Sequence, residues 1–426
     1  MKKLIGLLNQ NTGVDGWKIA EMKTRSYELF FVHEKLETVR STDTVSTSVT
    51  VYVDHDGARG DSSFAVTAAQ SDKDLEKAIV RAAARAKLAF NQPYRLPRGG
   101  REPERALPTN LTDLDEKETA AKIARAVFSA DCPAGGSINA LEVFLYTDTF
   151  RVINSEGIDK QEKKHRVMIE AIPTFTDEKE SVELYEDYRF TVFDEEKLKN
   201  EISGKLREVY DRHVAAKPPV PMKANIVLRP HEIEELLSDL AGDLHYASVY
   251  MHANLHKIGD DLQKDGKGDK LTVTMRGKTP GSECSSFFDG DGTELRDTTV
   301  IRDGVCAANF GSDRFGQYLG VETPSGELRC MDVNAGTLDG AELKSAPYIE
   351  CASLSGIQVD LFNDYIGGEI RLAYYFDGEK TVPVTGITMS GKLSEALASL
   401  RLSDKKVTQG AYEGPDKMLL PGFSIL

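Results

Sequence analysis

The feature that most restricts how this chain can fold is a proline-rich run near its middle, Lys217-Pro218-Pro219-Val220-Pro221. Prolines fix the backbone and remove N–H donors, so neither a helix nor a central strand can run across this segment. The length of 426 residues is enough for two domains. We therefore predict an N-terminal domain at 1–216, a Pro-rich linker at 217–223 and a C-terminal domain at 224–426.

The first half is predicted to mix strands and helices. Alternating and β-branched residues separated by polar turns, including Asp54-His55-Asp56-Gly57, predict a strand meander over 27–69. Ser71 stands at the expected N-cap of a helix whose apolar residues recur at helical spacing. Further segments follow: a helix at 115–130, hairpin arms at 141–146 and 151–154, a strand at 165–175 and a helix at 194–214.

The second half is predicted to be rich in strands. A strand at 225–228 and a helix at 230–244 open it, and glycine then recurs every few residues among strand-like segments. The predicted fold class is α+β, with two domains of largely antiparallel or mixed sheets, a few packed helices and a strand-rich C-terminal half.

Composition narrows the classes of function. The chain has 53 Lys and Arg against 68 Asp and Glu, a formal net charge of −15, and its basic residues are dispersed among acids. This argues against nucleic-acid binding. No apolar run reaches the ~18–20 residues of a membrane helix, and the five widely spaced cysteines lack a C-x-x-C pair, which is typical of reduced thiols. We expect a cytoplasmic protein that binds neither nucleic acid nor a membrane.

One motif has the appearance of a phosphatase site. Asp289-Gly290-Asp291-Gly292-Thr293 matches D-x-D-G-T, in which one aspartate attacks phosphorus, the other acts as acid and base, and magnesium neutralises the phosphate. That chemistry requires a buried strand before the motif and a βαβ crossover after it, whereas a hairpin-like segment follows at 298–305. The acids also depart from the spacing of a twelve-residue calcium loop. A glycine-rich turn is the favoured interpretation.

Histidines offer two candidate metal sites. His231-Glu232 begins like a zincin motif, but H-E-x-x-H would need histidine at Glu235 and H-E-x-x-x-H would need it at Leu236. His252 and His256 are four residues apart and would share a face if their segment were helical. They are the only candidate metal ligands we name, against the alternative of a solvated or partner-facing surface. No catalytic or cofactor-binding residue is assigned.

The order of several segments along the chain is more informative than any single motif. These segments are Glu37–Ser41, Val49–Gly60, the alanine-rich helix at 72–89, Phe150–Gly157, Ser285–Val305, Gly367–Tyr374 and Val382–Gly391. Together they resemble the TldD/PmbA family, which is also called "modulator of DNA gyrase" and is similar to peptidase U62 proteins. The resemblance covers nearly the whole chain.

The resemblance implies a role. The family comprises two related subunits that work as a heterodimer: a metallopeptidase subunit with H-E-x-x-x-H and a distant Cys ligand, and a PmbA (TldE) subunit without that motif. This chain resembles the PmbA (TldE) subunit. It has Leu236 where the second histidine would stand, no cysteine in a C-G-K context, and the segment Ser248-Val249-Tyr250. The resemblance implies a TldE/PmbA-like subunit of a cytoplasmic metallopeptidase complex that acts on unfolded peptides. This subunit is expected to be catalytically silent by itself. Zinc is expected in a TldD-like partner and not in this chain.

Two alternatives stay open. The chain could be a self-sufficient, divergent metallohydrolase that uses His252 and His256, or a non-enzymatic homodimeric scaffold. Its partner is accordingly a TldD-like zinc peptidase subunit or a second copy of itself, and whether the chain is an enzyme is left undecided. In the leading hypothesis an extended peptide adds to an exposed sheet edge through main-chain hydrogen bonds, which gives broad specificity.

Overall fold

A computed structural model describes residues 1–132, 135–178 and 180–426. The α+β class and the strand-rich second half are confirmed. The helices within the described ranges are α1 (Lys2–Gln10), α2 (Asp72–Ala86), α3 (Glu116–Phe128), α4 (Glu195–Val214), α5 (Pro230–Asp243), α6 (Tyr246–Tyr250), α7 (Asp313–Tyr318), α8 (Gly340–Leu343) and α9 (Leu393–Ser399).

The strands divide between the two halves of the chain. The first half contains β1 (Gly16–Val32), β2 (Lys35–His55), β3 (Ala58–Val66), β4 (Arg105–Ala106), β5 (Ser137–Asn154), β6 (Asp159–Thr176), β7 (Ser181–Glu183) and β8 (Glu186–Phe190). The second half contains β9 (Met222–Leu228), β10 (Val273–Arg276), β11 (Thr298–Arg302), β12 (Val305–Cys306), β13 (Cys330–Val333), β14 (Tyr348–Asp360), β15 (Tyr365–Phe376), β16 (Thr381–Val384), β17 (Ile387–Lys392), β18 (Arg401–Leu402), β19 (Lys406–Gln409), β20 (Tyr412–Pro415) and β21 (Met418–Ile425).

The first half is built on one long sheet in the order β3-β2-β1-β5-β6-β4, with β7 and β8 also paired to β6. Its long strands are antiparallel neighbours. The β2–β3 connection has positive φ at Asp56 (48°) and Gly57 (78°), as a two-residue hairpin turn requires. The turn expected from the sequence at this position is therefore confirmed.

Helices cover one face of the long sheet. The odd-numbered positions of β1 enter two apolar clusters, since Ile19 packs with α1 and α2 while Leu29 packs with α3 and α4. Ser71 forms the N-cap of α2 in a reciprocal capping box with Asp74. Because side chains alternate along a strand, the even-numbered positions of β1 lie on the opposite face, which we call the open face.

The hairpin predicted at 141–146 and 151–154 is wrong. Both segments belong to the single strand β5, which pairs with β1 on one side and β6 on the other. The polar residues between them resemble a turn in the sequence, but Asp148 accepts hydrogen bonds from Thr24 Oγ1 (2.7 Å) and Arg166 Nε (2.6 Å) on the neighbouring strands. Cross-strand partners therefore keep this polar stretch extended.

The second half contains two sheets around one large core. One has the order β12-β11-β10-β13-β20-β19, and the other has the order β14-β9-β21-β17-β15-β16, with β18 paired to β21. Residues of α5 and α9 share an apolar cluster with both sheets. All strands of the first sheet lie before the proline run and all strands of these two lie after it. The division at 217–223 stays a prediction.

Candidate functional site

Helix α5 occupies the position at which the sequence begins a zincin motif. Pro230 stands at its first turn, where the missing N–H is not needed, and strand β9 leads directly into it. The side chain of His231 is 68% exposed and its Nε2 lies 3.7 Å from Glu235 Oε1. Leu236 is fully buried in the core of the second half. A zinc ion bound by this helix does not fit, because the second ligand position holds an apolar side chain.

The carboxylate of Glu232 lies beside a network of ionic side chains. Burial raises its pKa, and a hydrogen bond from its own backbone N–H and the nearby Arg229 guanidinium only partly offset this. Arg229 joins α4 to the second half by donating to Glu208 (2.5 Å) and Glu350 (3.0 Å). Lys417 also donates to Glu350 (2.7 Å). Burial alone would raise the pKa of Glu350, yet Arg229 and Lys417 hold it below its usual value. The base of α5 thus serves as a structural junction.

His252 and His256 do not share a helical face. Helix α6 ends at Tyr250, and His252 has a positive φ of 55°. His256 is held by the buried carboxylate of Asp243, whose Oδ2 lies 2.9 Å from the His256 Nδ1 and accepts from its backbone N–H. No group of three His, Cys, Asp or Glu side chains within residues 1–132, 135–178 and 180–426 is arranged to hold a metal ion. The i, i+4 geometry required by the metallohydrolase alternative is absent from this segment.

The D-x-D-G-T segment forms a tight loop. Asp289, only 7% exposed, accepts backbone hydrogen bonds from Asp291 (2.9 Å), Thr293 (3.0 Å) and Glu327 (3.3 Å). Burial, with the nearby Asp291 carboxylate, raises the pKa of Asp289 to about 6. Gly292 has φ of 86°, and a Cβ there would lie 2.8 Å from Ile158. The glycine-rich turn favoured over the phosphatase interpretation is what the structure contains.

This loop docks the second half onto the open face of the first. Phe288 is 1% exposed and packs against Val152 and Ile158. Glu294 accepts two hydrogen bonds from Arg105 (3.0 and 2.6 Å) and one from Lys160 (2.6 Å). The guanidinium of Arg105 also lies 4.7 Å from the ring centre of Phe287. The segment that resembles a phosphatase motif is therefore part of the contact between the two halves.

Further along the sheet, the open face carries aromatic side chains. Phe144 lies 5.6 Å from Phe30 in an edge contact and 6.0 Å from Tyr146 in a stacked one. Arg166 lies 4.0 Å above the Tyr146 ring, and Arg40 lies 5.1 Å from the Phe30 ring. Rings bracketed by guanidinium groups offer both apolar and cation–π contact.

Three carboxylates border these rings. Glu28 is 3% exposed, accepts from Ser26 Oγ (2.5 Å) and pairs with Arg40. Glu142 and Glu170 stand directly opposite each other on β5 and β6. Burial raises the pKa of Glu142, and the Glu170 carboxylate raises it further. The surface therefore combines rings, arginines and acids within one stripe of the sheet.

A groove of about 610 Å³ crosses the helix-bearing face of the same sheet. His165 lies in it with its Nδ1 3.0 Å from Thr147 Oγ1. Burial lowers the pKa of His165, and Lys163 lowers it further. Arg25 is paired with Glu116 in the same groove. Since acids and bases both line it, the groove does not single out one class of ligand.

Comparison with known proteins identifies the second half as a metallopeptidase-type domain. Residues 221–425 match the model of the PmbA/TldA metallopeptidase C-terminal domain. This part of the chain therefore has the C-terminal domain of the PmbA/TldD family. No curated protein sequence matches it significantly. Among its described residues, no helix has the length and apolar character needed to cross a membrane.

Solved structures share the fold over nearly the whole chain. TldE from Thermococcus kodakarensis is 14% identical, with 99% of each chain covered and a TM-score of 0.78. A proposed modulator of DNA gyrase from Bacteroides thetaiotaomicron is 17% identical, with 100% of this chain and 98% of the other covered and a TM-score of 0.79. Another from Thermotoga maritima is 15% identical, with 100% and 99% covered and a TM-score of 0.77. At these identities the likeness shows the fold alone.

Sequence reasoning did not find the open face. Its residues alternate with core residues along β1, so that Ser26, Glu28 and Phe30 interleave with Tyr27 and Leu29. The sequence signal for this face was the alternation along β1, which places polar, acidic and aromatic side chains at every second position. It could not be interpreted because the pairing of β1 with β5 joins positions more than a hundred residues apart.

Proposed function

We propose that this chain is the PmbA/TldE-type subunit of a cytoplasmic metallopeptidase complex, silent by itself, that helps a zinc-bearing partner act on unfolded peptides. The observation that carries the proposal is the buried Leu236 on α5 of a chain with the C-terminal domain of the PmbA/TldD family. A helix that presents leucine to the core and an exposed His231 to solvent lacks converging ligands. The zinc and the catalytic groups would therefore be supplied by the partner.

The sheet surfaces support a role with extended peptides. Strand edges pair with any extended main chain, and the side chains beside them set only broad preferences. The open face adds aromatic rings, including Phe30 and Tyr146, flanked by Arg40 and Arg166. Such a surface accommodates unfolded segments of varied sequence.

The cytoplasmic assignment is supported by the thiols. All five cysteines are free in the structure, and Cys306, Cys330 and Cys351 are buried. Burial raises the pKa of Cys306 to about 11, so the group remains a thiol at neutral pH. Unpaired, protonated cysteines are typical of a reducing compartment.

Peptidase assays with and without a zinc-bearing family subunit test the proposal. We expect no cleavage of an unfolded reporter peptide by the pure chain, with or without added zinc. Activity should appear when a family member with an intact H-E-x-x-x-H is added, and it should be higher than that subunit shows alone. Tag-free protein should hold well below one metal atom per chain.

Strong, chelator-sensitive cleavage by the pure chain would contradict the proposal. The double variant His252→Ala/His256→Ala then identifies the metallohydrolase alternative, because loss of metal and activity together would place the site there. An unchanged metal content in that variant would exclude these two histidines as ligands.

A further inference from the structure

The far end of the long sheet has an unpaired strand edge. Strand β2 pairs with β1 between Lys35 and Tyr52, but β3 covers its other edge only over 47–55. The register with β1 slips between Phe30 and Phe31, which leaves Glu37 outside the pairing. The regular part of the free edge is therefore Thr38–Ser46, which we call the free edge. Within the described chain no other strand pairs with it.

The free edge is exposed on both of its faces. Every residue from Thr38 to Ser46 is exposed except the half-buried Thr42. Val39 is 49% and Val45 is 58% exposed. A long, regular edge with exposed valines and neither proline nor bulge is the kind that soluble proteins normally cover. We therefore expect another strand to pair with the free edge.

Symmetry limits how this edge can pair with a copy of itself. Neighbouring pairs in an antiparallel ladder alternate between hydrogen-bonded and non-hydrogen-bonded types. An axis between two neighbouring pairs would exchange them, although they are of different types. The twofold axis therefore has to pass through one residue that faces its own copy. Five positions in the middle of the free edge, Arg40–Thr44, could lie on the axis and keep more than half of the strand paired.

Side-chain chemistry distinguishes these five registers. An axis at Arg40 or at Asp43 places two like charges directly opposite each other, which is unfavourable. An axis at Ser41 places Val39 opposite Asp43, and an axis at Thr44 places Val45 opposite Asp43. An axis at Thr42 pairs Val39 with Val45 twice, Arg40 with Thr44 and Ser41 with Asp43, and it uses all nine residues of the free edge. Only this register buries both valines against apolar partners and places no like charges opposite each other.

We propose that the free edge pairs antiparallel with the free edge of a second copy of this chain, with the twofold axis at Thr42. The two long sheets then form one continuous sheet across the dimer. The contact is narrow, so the dimer is expected to be in the micromolar range of affinity. The inference does not depend on the proposed zinc-bearing partner.

Sedimentation of the full chain across two decades of concentration around ~10 μM tests the pairing. Two matched double variants isolate the register. Val39→Lys/Val45→Lys places lysine opposite lysine twice, whereas Val39→Lys/Val45→Glu places lysine opposite glutamate twice. We expect the first to dissociate about tenfold or more readily than the second. Both lose the same apolar contacts, and circular dichroism confirms that both are folded.

A cross-linking experiment places the axis. In this register Thr42→Cys faces its own copy and should form a disulfide-linked dimer under mild oxidation, whereas Val39→Cys and Val45→Cys alone should not. A chain that is monomeric at all concentrations would overturn the proposal, as would equal dissociation of the two double variants. Binding of an extended peptide to this edge without dimerisation would also overturn it. None of these results bears on peptidase activity with a zinc-bearing subunit, so the two proposals fail separately.

Discussion

At the scale of single residues, Asp289 shows how one motif can indicate two different chemistries. As a phosphatase nucleophile it would be open to substrate, whereas here three backbone N–H groups surround its carboxylate. Burial and Asp291 raise its pKa to about 6 from an ordinary value of 3.8. Its protonation is therefore linked to the stability of the fold.

The sign of this linkage gives a prediction. A raised pKa means that the folded chain keeps its proton while the unfolded chain loses it, so this contribution to the free energy of unfolding is complete below about pH 4 and is lost towards pH 6. The loss is about 3 kcal/mol at most. In Asp289→Asn this pH dependence should vanish, leaving a constant offset from the altered contact with Glu327. Urea unfolding of both proteins between pH 4 and 7 measures the difference.

Asp291→Asn provides the control. It removes a charge that raises the pKa of Asp289, so its stability should fall less steeply over the same pH range than that of the wild type. Parallel pH curves for the wild type and Asp289→Asn would show that this carboxylate is not the group responsible.

At the scale of elements, α4 is joined to the second half through Arg229, Glu208 and Glu350. Replacing Arg229 by alanine leaves two poorly exposed carboxylates with only Lys205 and Lys417 as partners. We expect a loss of about 2–4 kcal/mol in the free energy of unfolding, because breaking a buried ion pair costs more than the pair contributes. Denaturant titration at neutral pH measures it.

Arg207→Ala is the matched comparison on the same helix. Its guanidinium is 61% exposed and pairs with Asp211 one turn away at 3.1 Å. Asp211 is buried but keeps a hydrogen bond from the Tyr374 hydroxyl (2.8 Å) when the exposed guanidinium is removed, so the loss should be about 1 kcal/mol or less. If both variants lost the same stability, burial would not be the reason for the effect of Arg229.

At the scale of the whole molecule, the loop that carries Phe288 is one of the contacts that hold the two halves together. The Phe288 side chain is 1% exposed and belongs to the second half of the chain. It packs against Val152 and Ile158, which belong to the first half. Phe288→Ala should weaken the docking by about 3 kcal/mol or more. We expect calorimetry to change from one unfolding transition to two, with faster proteolysis near 217–223.

Phe423→Ala is the control, because Phe423 is equally buried but lies in the core of the second half. It should lower the stability of that half while the halves still unfold together. Two separate transitions in both variants, or in neither, would contradict the role assigned to Phe288.

The sequence by itself determined the elements whose signals are local. The capping box at Ser71, the hairpin turn at Asp56-Gly57, helix α5 after Pro230 and the α+β class all follow from neighbouring residues. The family was also evident, because the order of its segments is written in the chain. Leu236 could be identified in the same way as an apolar residue at a ligand position.

Only the tertiary structure decided which residues share a surface. The polar residues around Asp148 resemble a turn until their partners on β1 and β6 are known, and His252 and His256 resemble a pair until the backbone between them is seen. The open face depends on the pairing of β1 with β5, which are distant in the chain, and the free edge Thr38–Ser46 depends on how far β3 extends along β2. Local sequence patterns fix which conformation a segment prefers, whereas the register between segments is set by the packing of the complete core.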